Sequence, residues 1–123
     1  MKFARCLGLI ALLSAVTSRP ATAGIETVEL PEVQAVKALA GIVRDPSGSP
    51  ITGATVSEVS SDSKTVIRTI ATDQNGSFAF PTAPKKRIYH LLISSYGFNP
   101  LLIHVRTSRW TKRLLDLKLM VST

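Results

Sequence analysis

From residue 38 onward, apolar and polar residues alternate in short runs separated by turn clusters, with no sustained apolar stripe at helical spacing. Residues 38–44 form a first run, closed by Asp45-Pro46-Ser47-Gly48-Ser49-Pro50. Residues 53–59 place Ala54, Val56 and Glu58 on alternate positions, and residues 64–72 are β-branched and extended. Asp73-Gln74-Asn75-Gly76 predicts a tight hairpin leading to a short strand over 77–80, with Phe78 and Phe80 on one face. Residues 88–94 set Tyr89, Leu91 and Ile93 against His90, Leu92 and Ser94. Residues 101–106 set Leu101, Ile103 and Val105 against Leu102, His104 and Arg106. Residues 114–121 set Leu115, Leu117 and Leu119 against Asp116, Lys118 and Met120. Strands that bury one side each require two packed layers, so the pattern predicts an all-β, seven-stranded antiparallel Greek-key sandwich. Gly48 and Gly76 fall where hairpins need positive φ, and Gly53 before Ala54 suggests a close backbone approach.

The N-terminal 23 residues break this pattern. Lys2 and Arg5 precede the uncharged run at 6–16, and Ala21-Thr22-Ala23 supplies the small residues of a signal-peptidase site. We therefore expect a signal peptide over 1–23, an acidic lead-in or linker over 24–37 (an edge strand at most), and the sandwich over 38–123. Cys6 lies at the start of the apolar run, where a lipoprotein signal would need it at the end. The mature chain is expected to carry no cysteine and no membrane span, and to be periplasmic or extracellular.

The 100 residues after the predicted cleavage site carry 12 Lys and Arg against 8 Asp and Glu, unevenly spread. Residues 24–84 are net −3 and residues 85–123 net +7. Lys85, Lys86 and Arg87 fall between the fourth and fifth predicted strands. Arg106, Arg109, Trp110, Lys112 and Arg113 fall at or near the connection between the sixth and seventh. If successive strands alternate in direction, both connections share one pole of the sandwich. These eight residues are the candidate ligand-binding set: a Trp face for a sugar ring, and cations for phosphate or carboxylate groups.

The catalytic inventory is thin. No G-x-S-x-G, H-E-x-x-H or phosphate loop occurs, although a Ser-His-Asp set is defined by geometry rather than by spacing. His90 and His104 could neighbour one another on outer strand faces, but no carboxylate lies at suitable spacing. They read as exposed strand histidines, with no metal and no cofactor expected. Export argues against a nucleic-acid partner.

Three motifs together resemble carboxypeptidase regulatory-like domains. They are Gly41-x-Val43-x-Asp45-x-x-Gly48-x-Pro50-Ile51-x-Gly53-Ala54-x-Val56, Ala71-Thr72-Asp73-x-x-Gly76-x-Phe78-x-Phe80, and Tyr89-x-Leu91-x-Ile93-Ser94-x-x-Gly97-Phe98. The resemblance implies a transthyretin (prealbumin)-like sandwich similar in fold to carbohydrate-binding modules, and an accessory role without catalysis. One departure stands out. The family's Leu-Pro-Pro-Gly-like turn is replaced here by Ala83-Pro84-Lys85-Lys86-Arg87-Ile88, which is basic and lacks the glycine. The resulting expectation is a non-enzymatic module holding an envelope glycan or an acidic protein surface. The alternative is a structural module pairing through an exposed edge strand.

Overall fold

The computed structural model describes residues 26–81 and 87–122. The predicted signal peptide, Lys85 and Lys86 lie outside the described residues. Eight strands form in chain order: β1 (Val28–Val36), β2 (Ala40–Arg44), β3 (Thr55–Val59), β4 (Val66–Ala71), β5 (Ser77–Ala79), β6 (Ile88–Ser94), β7 (Leu101–Thr107) and β8 (Leu115–Lys118). They make a five-stranded sheet, β1-β7-β6-β3-β4, and a three-stranded sheet, β5-β2-β8. No helix among the described residues is long and apolar enough to cross a membrane.

The alternating positions read from sequence face the core as expected. Val56 and Ala54, Tyr89, Leu91 and Ile93, Leu101, Ile103 and Val105, and Leu115, Leu117 and Leu119 all belong to one buried cluster. Phe78 and Phe80 join it as an edge-to-face pair with ring centroids 6.4 Å apart. Burial of this face from both sheets is the main stabilising contribution.

Three expectations are corrected. There are eight strands, because the acidic lead-in pairs with β7 as an edge strand. Its register shifts between Leu30 and Val33, at Pro31-Glu32; a proline has no N–H to donate, and an edge strand tolerates that. Nor is pairing antiparallel throughout: β1 runs parallel to β7, and β2 parallel to β8. The remaining pairs, β2–β5, β3–β4, β3–β6 and β6–β7, are antiparallel. Finally, the 73–76 turn is not a hairpin within a sheet. β4 pairs with β3, whereas β5 pairs with β2, so the turn is a corner between layers.

Local hydrogen bonds close the turn at that corner. Asp73 Oδ1 accepts from the amides of Asn75 and Ser77 at 2.8 and 2.9 Å, and Gly76 (φ 73°) donates back to the Asp73 carbonyl. The 45–49 turn repeats the device: Asp45 Oδ1 accepts from Ser47 and Ser49, and Gly48 (φ 92°) donates to the Asp45 carbonyl. The Val43 amide then donates to the Gly76 carbonyl, which draws β5 onto β2. Gly53 also has positive φ (76°) but nothing crowds it. The close approach occurs instead at Gly41, where a Cβ would lie 2.6 Å from the Leu115 Cβ. Gly41 is what lets β8 lie alongside β2.

Candidate functional site

β6 begins beside the end of β7, with Ile88 opposite Arg106. This puts Arg87 and Arg106 at one end of the sandwich. β1 ends there as well, and it holds the β7–β8 connection at both sides. The Ser108 amide donates to the Val36 carbonyl, and the Lys37 amide donates to the Arg113 carbonyl, each at 2.8 Å. Within the connection, Ser108 Oγ accepts from the Trp110 amide and Thr111 Oγ1 from the Arg113 amide. Short side-chain-to-backbone bonds of this kind give a loop defined shape.

Trp110 is 88 % exposed, with the Arg109 guanidinium 5.9 Å from its ring centroid. Arg106, Arg109, Lys112 and Arg113 are exposed and form no ion pair with a carboxylate among the described residues. Lys37 is an exposed neighbour that sequence reasoning missed, because it lies at the end of the strand read as linker.

Arg87 differs from the other cations. Its Nη2 donates to Glu58 Oε2 at 3.0 Å, and its guanidinium lies 4.1 Å from the Tyr89 ring centroid. Glu58 is 1 % exposed, and its other oxygen accepts from Arg68 Nε at 2.7 Å. Arg68 stacks over Phe80 and donates to the Pro81 carbonyl at 2.8 Å. A buried carboxylate is tolerable only when paired and hydrogen-bonded, and here both oxygens are satisfied. The pairing also fastens Pro81 and Arg87, the two ends of the 82–86 segment, to one buried anchor. Glu58 was placed correctly by alternation; its partners come from β4 and the start of β6, which spacing alone does not reveal.

A second cluster lies on the outer face of the large sheet. His90 and His104 are directly opposed across β6 and β7, and their Nδ1 atoms are 2.7 Å apart. His104 Nε2 lies 2.8 Å from Glu29 Oε2 on β1. The expected exposed histidines are therefore half-buried and mutually paired, and the carboxylate missing from the sequence reading comes from the supposed linker. Burial, reinforced by the His104 imidazole, holds the His90 pKa below the ordinary 6.5, with Glu58 opposing and Arg87 adding to the shift. No serine hydroxyl bonds to either imidazole among the described residues. Nor do three His, Cys, Asp or Glu side chains gather there to hold a metal between them.

No curated protein matches the sequence. Among solved structures, catechol 1,2-dioxygenase from Pseudomonas arvilla C-1 superposes with a TM-score of 0.47 at 15 % identity, covering 80 % of this chain and 59 % of that one. Hydroxyquinol 1,2-dioxygenase from Pseudomonas putida DLL-E4 gives 0.47 at 13 % identity, covering 92 % of this chain and 71 % of that one. Catechol 1,2-dioxygenase from Acinetobacter sp. ADP1 gives 0.48 at 14 % identity, covering 93 % and 67 %. The chain thus spans less than two thirds of the first of these enzymes. The family model for the carboxypeptidase regulatory-like domain, a non-catalytic β-sandwich, matches residues 38–119, which run from just before β2 to just past β8. The chain belongs to the carboxypeptidase regulatory-like domain family.

Proposed function

We propose that the chain is an exported, non-catalytic module that holds an anionic envelope glycan at its basic pole. The observation that carries this reading is Trp110, 88 % exposed on a connection fastened at both sides and flanked by cations that have no carboxylate partner among the described residues. An aromatic face packs on the C–H face of a sugar ring, and guanidinium and ammonium groups pair with its phosphate or carboxylate substituents. Lys85 and Lys86 add two charges to a segment whose ends the Glu58 anchor fixes at the same pole. Export follows from the basic, apolar and small-residue order of residues 1–23. The test is retention on immobilised dextran sulfate over a salt gradient. The wild-type chain is expected to elute later than the Arg109→Ala/Lys112→Ala/Arg113→Ala variant, and neither is expected to bind neutral dextran. Equal elution of the two chains contradicts the reading. Preference for an acidic protein over the polymer would move the ligand to that class.

A second reading rests on β4, an edge strand whose Val66 and Ile67 are 59 % and 54 % exposed. Such an edge can pair with a strand from another chain. It predicts association that rises with concentration, is insensitive to salt and is lost in Ile67→Lys.

A further inference from the structure

The edges of the two sheets are not equally protected. β1 carries Glu29, Pro31 and Glu32, with a register break at the last two. β5 has three residues, and β8 has four with Asp116 and Lys118 exposed. Proline, charge, irregularity and shortness are the devices that keep an edge from pairing. β4 is the exception. It runs for six residues, and among the described residues no strand pairs with its far side. Its one charged side chain, Arg68, is turned to the inner layer, where Glu58, the Pro81 carbonyl and the Phe80 ring occupy it. A bulge takes Ile67 out of register with β3, which leaves 68–71 as the regular stretch.

The Thr72 amide donates to the Ala54 carbonyl, and the Thr72 carbonyl accepts from the Gly53 amide, so Thr72 faces β3. Alternation along an antiparallel ladder then turns the backbone groups of Ala71 and Thr69 outward, with those of Ile70 facing β3. We propose, resting on the edge-strand reading of β4, that this edge takes β4 of a second copy in an antiparallel two-fold pair centred on Ile70. In that register Thr69 faces Ala71 of the second copy, and Ala71 faces its Thr69. Each of these pairs exchanges both N–H···O=C bonds, so every outward backbone group of the two residues is used. Ile70, half-buried against the core, meets its twin across the axis and gains cover for its remaining surface. Arg68 lies opposite Thr72 rather than its own twin, so no like charges meet. β1, which brackets the Trp110 connection, is the opposite edge of the same sheet, so the pairing leaves that connection clear.

The test uses the chain from Gly24 on, which contains every described residue and no native cysteine. Ile70→Cys is expected to form a disulfide-linked dimer under oxidised glutathione, because residues opposed in a non-hydrogen-bonded pair have Cα atoms about 4.5 Å apart. Thr69→Cys sets its twin on the diagonal, at about 7–8 Å, and should give at most about a tenth of that yield. In the unsubstituted chain, hydrogen exchange at the Thr69 and Ala71 amides should slow at least about tenfold as concentration is raised through the range where sedimentation equilibrium shows dimer. That measurement does not depend on either variant folding. A chain that stays monomeric at every concentration overturns the self-pairing while leaving β4 open to a strand of another protein. A dimer in which both amides exchange as fast as in the monomer overturns the self-pairing and the edge-strand reading together. Cross-linking of Thr69→Cys as efficient as that of Ile70→Cys overturns the register.

Discussion

The amide of Lys37 donates to the carbonyl of Arg113 at 2.8 Å, and one residue earlier the carbonyl of Val36 accepts from Ser108. The end of an edge strand therefore brackets the connection that carries Trp110. Lys37→Pro removes the donor and should cost about 1–2 kcal/mol of stability, read as a lower urea midpoint. Trypsin should then cut the native protein faster after Arg109, Lys112 and Arg113. An unchanged cleavage rate would show that the connection holds its shape without β1.

Glu58 anchors the opposite flank of the same pole. Removing one partner of a fully buried ion pair costs about 3–5 kcal/mol. Here Arg68 and Arg87 are 32 % and 47 % exposed, so solvent compensates part of the loss. Glu58→Gln is expected to destabilise by about 2 kcal/mol in urea denaturation, less than burial of the carboxylate alone suggests.

Two glycines separate crowding from backbone strain. Gly41→Ala drives a Cβ into Leu115 of the neighbouring strand, so β2 and β8 must part. Gly53→Ala meets nothing and incurs only the positive-φ penalty of about 1 kcal/mol. Gly41→Ala should lower the thermal midpoint by at least twice as much as Gly53→Ala. The reverse order would place the close approach elsewhere.

The Asp45 turn predicts an acid-sensitive contribution. Hydrogen bonds from the Ser47 hydroxyl, then the Ser49 amide, hold its pKa below the ordinary 3.8. The folded form thus favours the ionised carboxylate. The stabilisation is present above pH 3.8 and is lost as the pH falls through the lowered folded value. Asp45→Asn should flatten that part of the stability profile and leave the neutral-pH slope unchanged.

Much of the fold was legible from Ala38 onward, because period-2 burial of Tyr89, Leu91 and Ile93 or Leu115, Leu117 and Leu119 leaves few alternatives. β1 was obscured because Pro31 and Glu32 interrupt its alternation at the point where the register shifts, and an edge strand buries little; Val28, Leu30 and Val33 all remain about 40 % exposed. That one missed strand hid Glu29 from His104 and Lys37 from the basic pole. Asp73-x-x-Gly76 looked like a hairpin because its local bonds are those of a tight turn. What sends β4 and β5 into different sheets is the long-range Val43–Gly76 bond, which no local pattern encodes.

Trp110 is the sole tryptophan in the sequence, so its fluorescence reports on the basic pole alone. Titration with dextran sulfate at rising salt tests the central claim most directly. The account predicts a saturable change in Trp110 emission whose apparent affinity falls steeply with ionic strength, and which Arg109→Ala/Lys112→Ala/Arg113→Ala abolishes. Emission that stays constant at low salt, or binding that ignores both salt and the triple substitution, would contradict it.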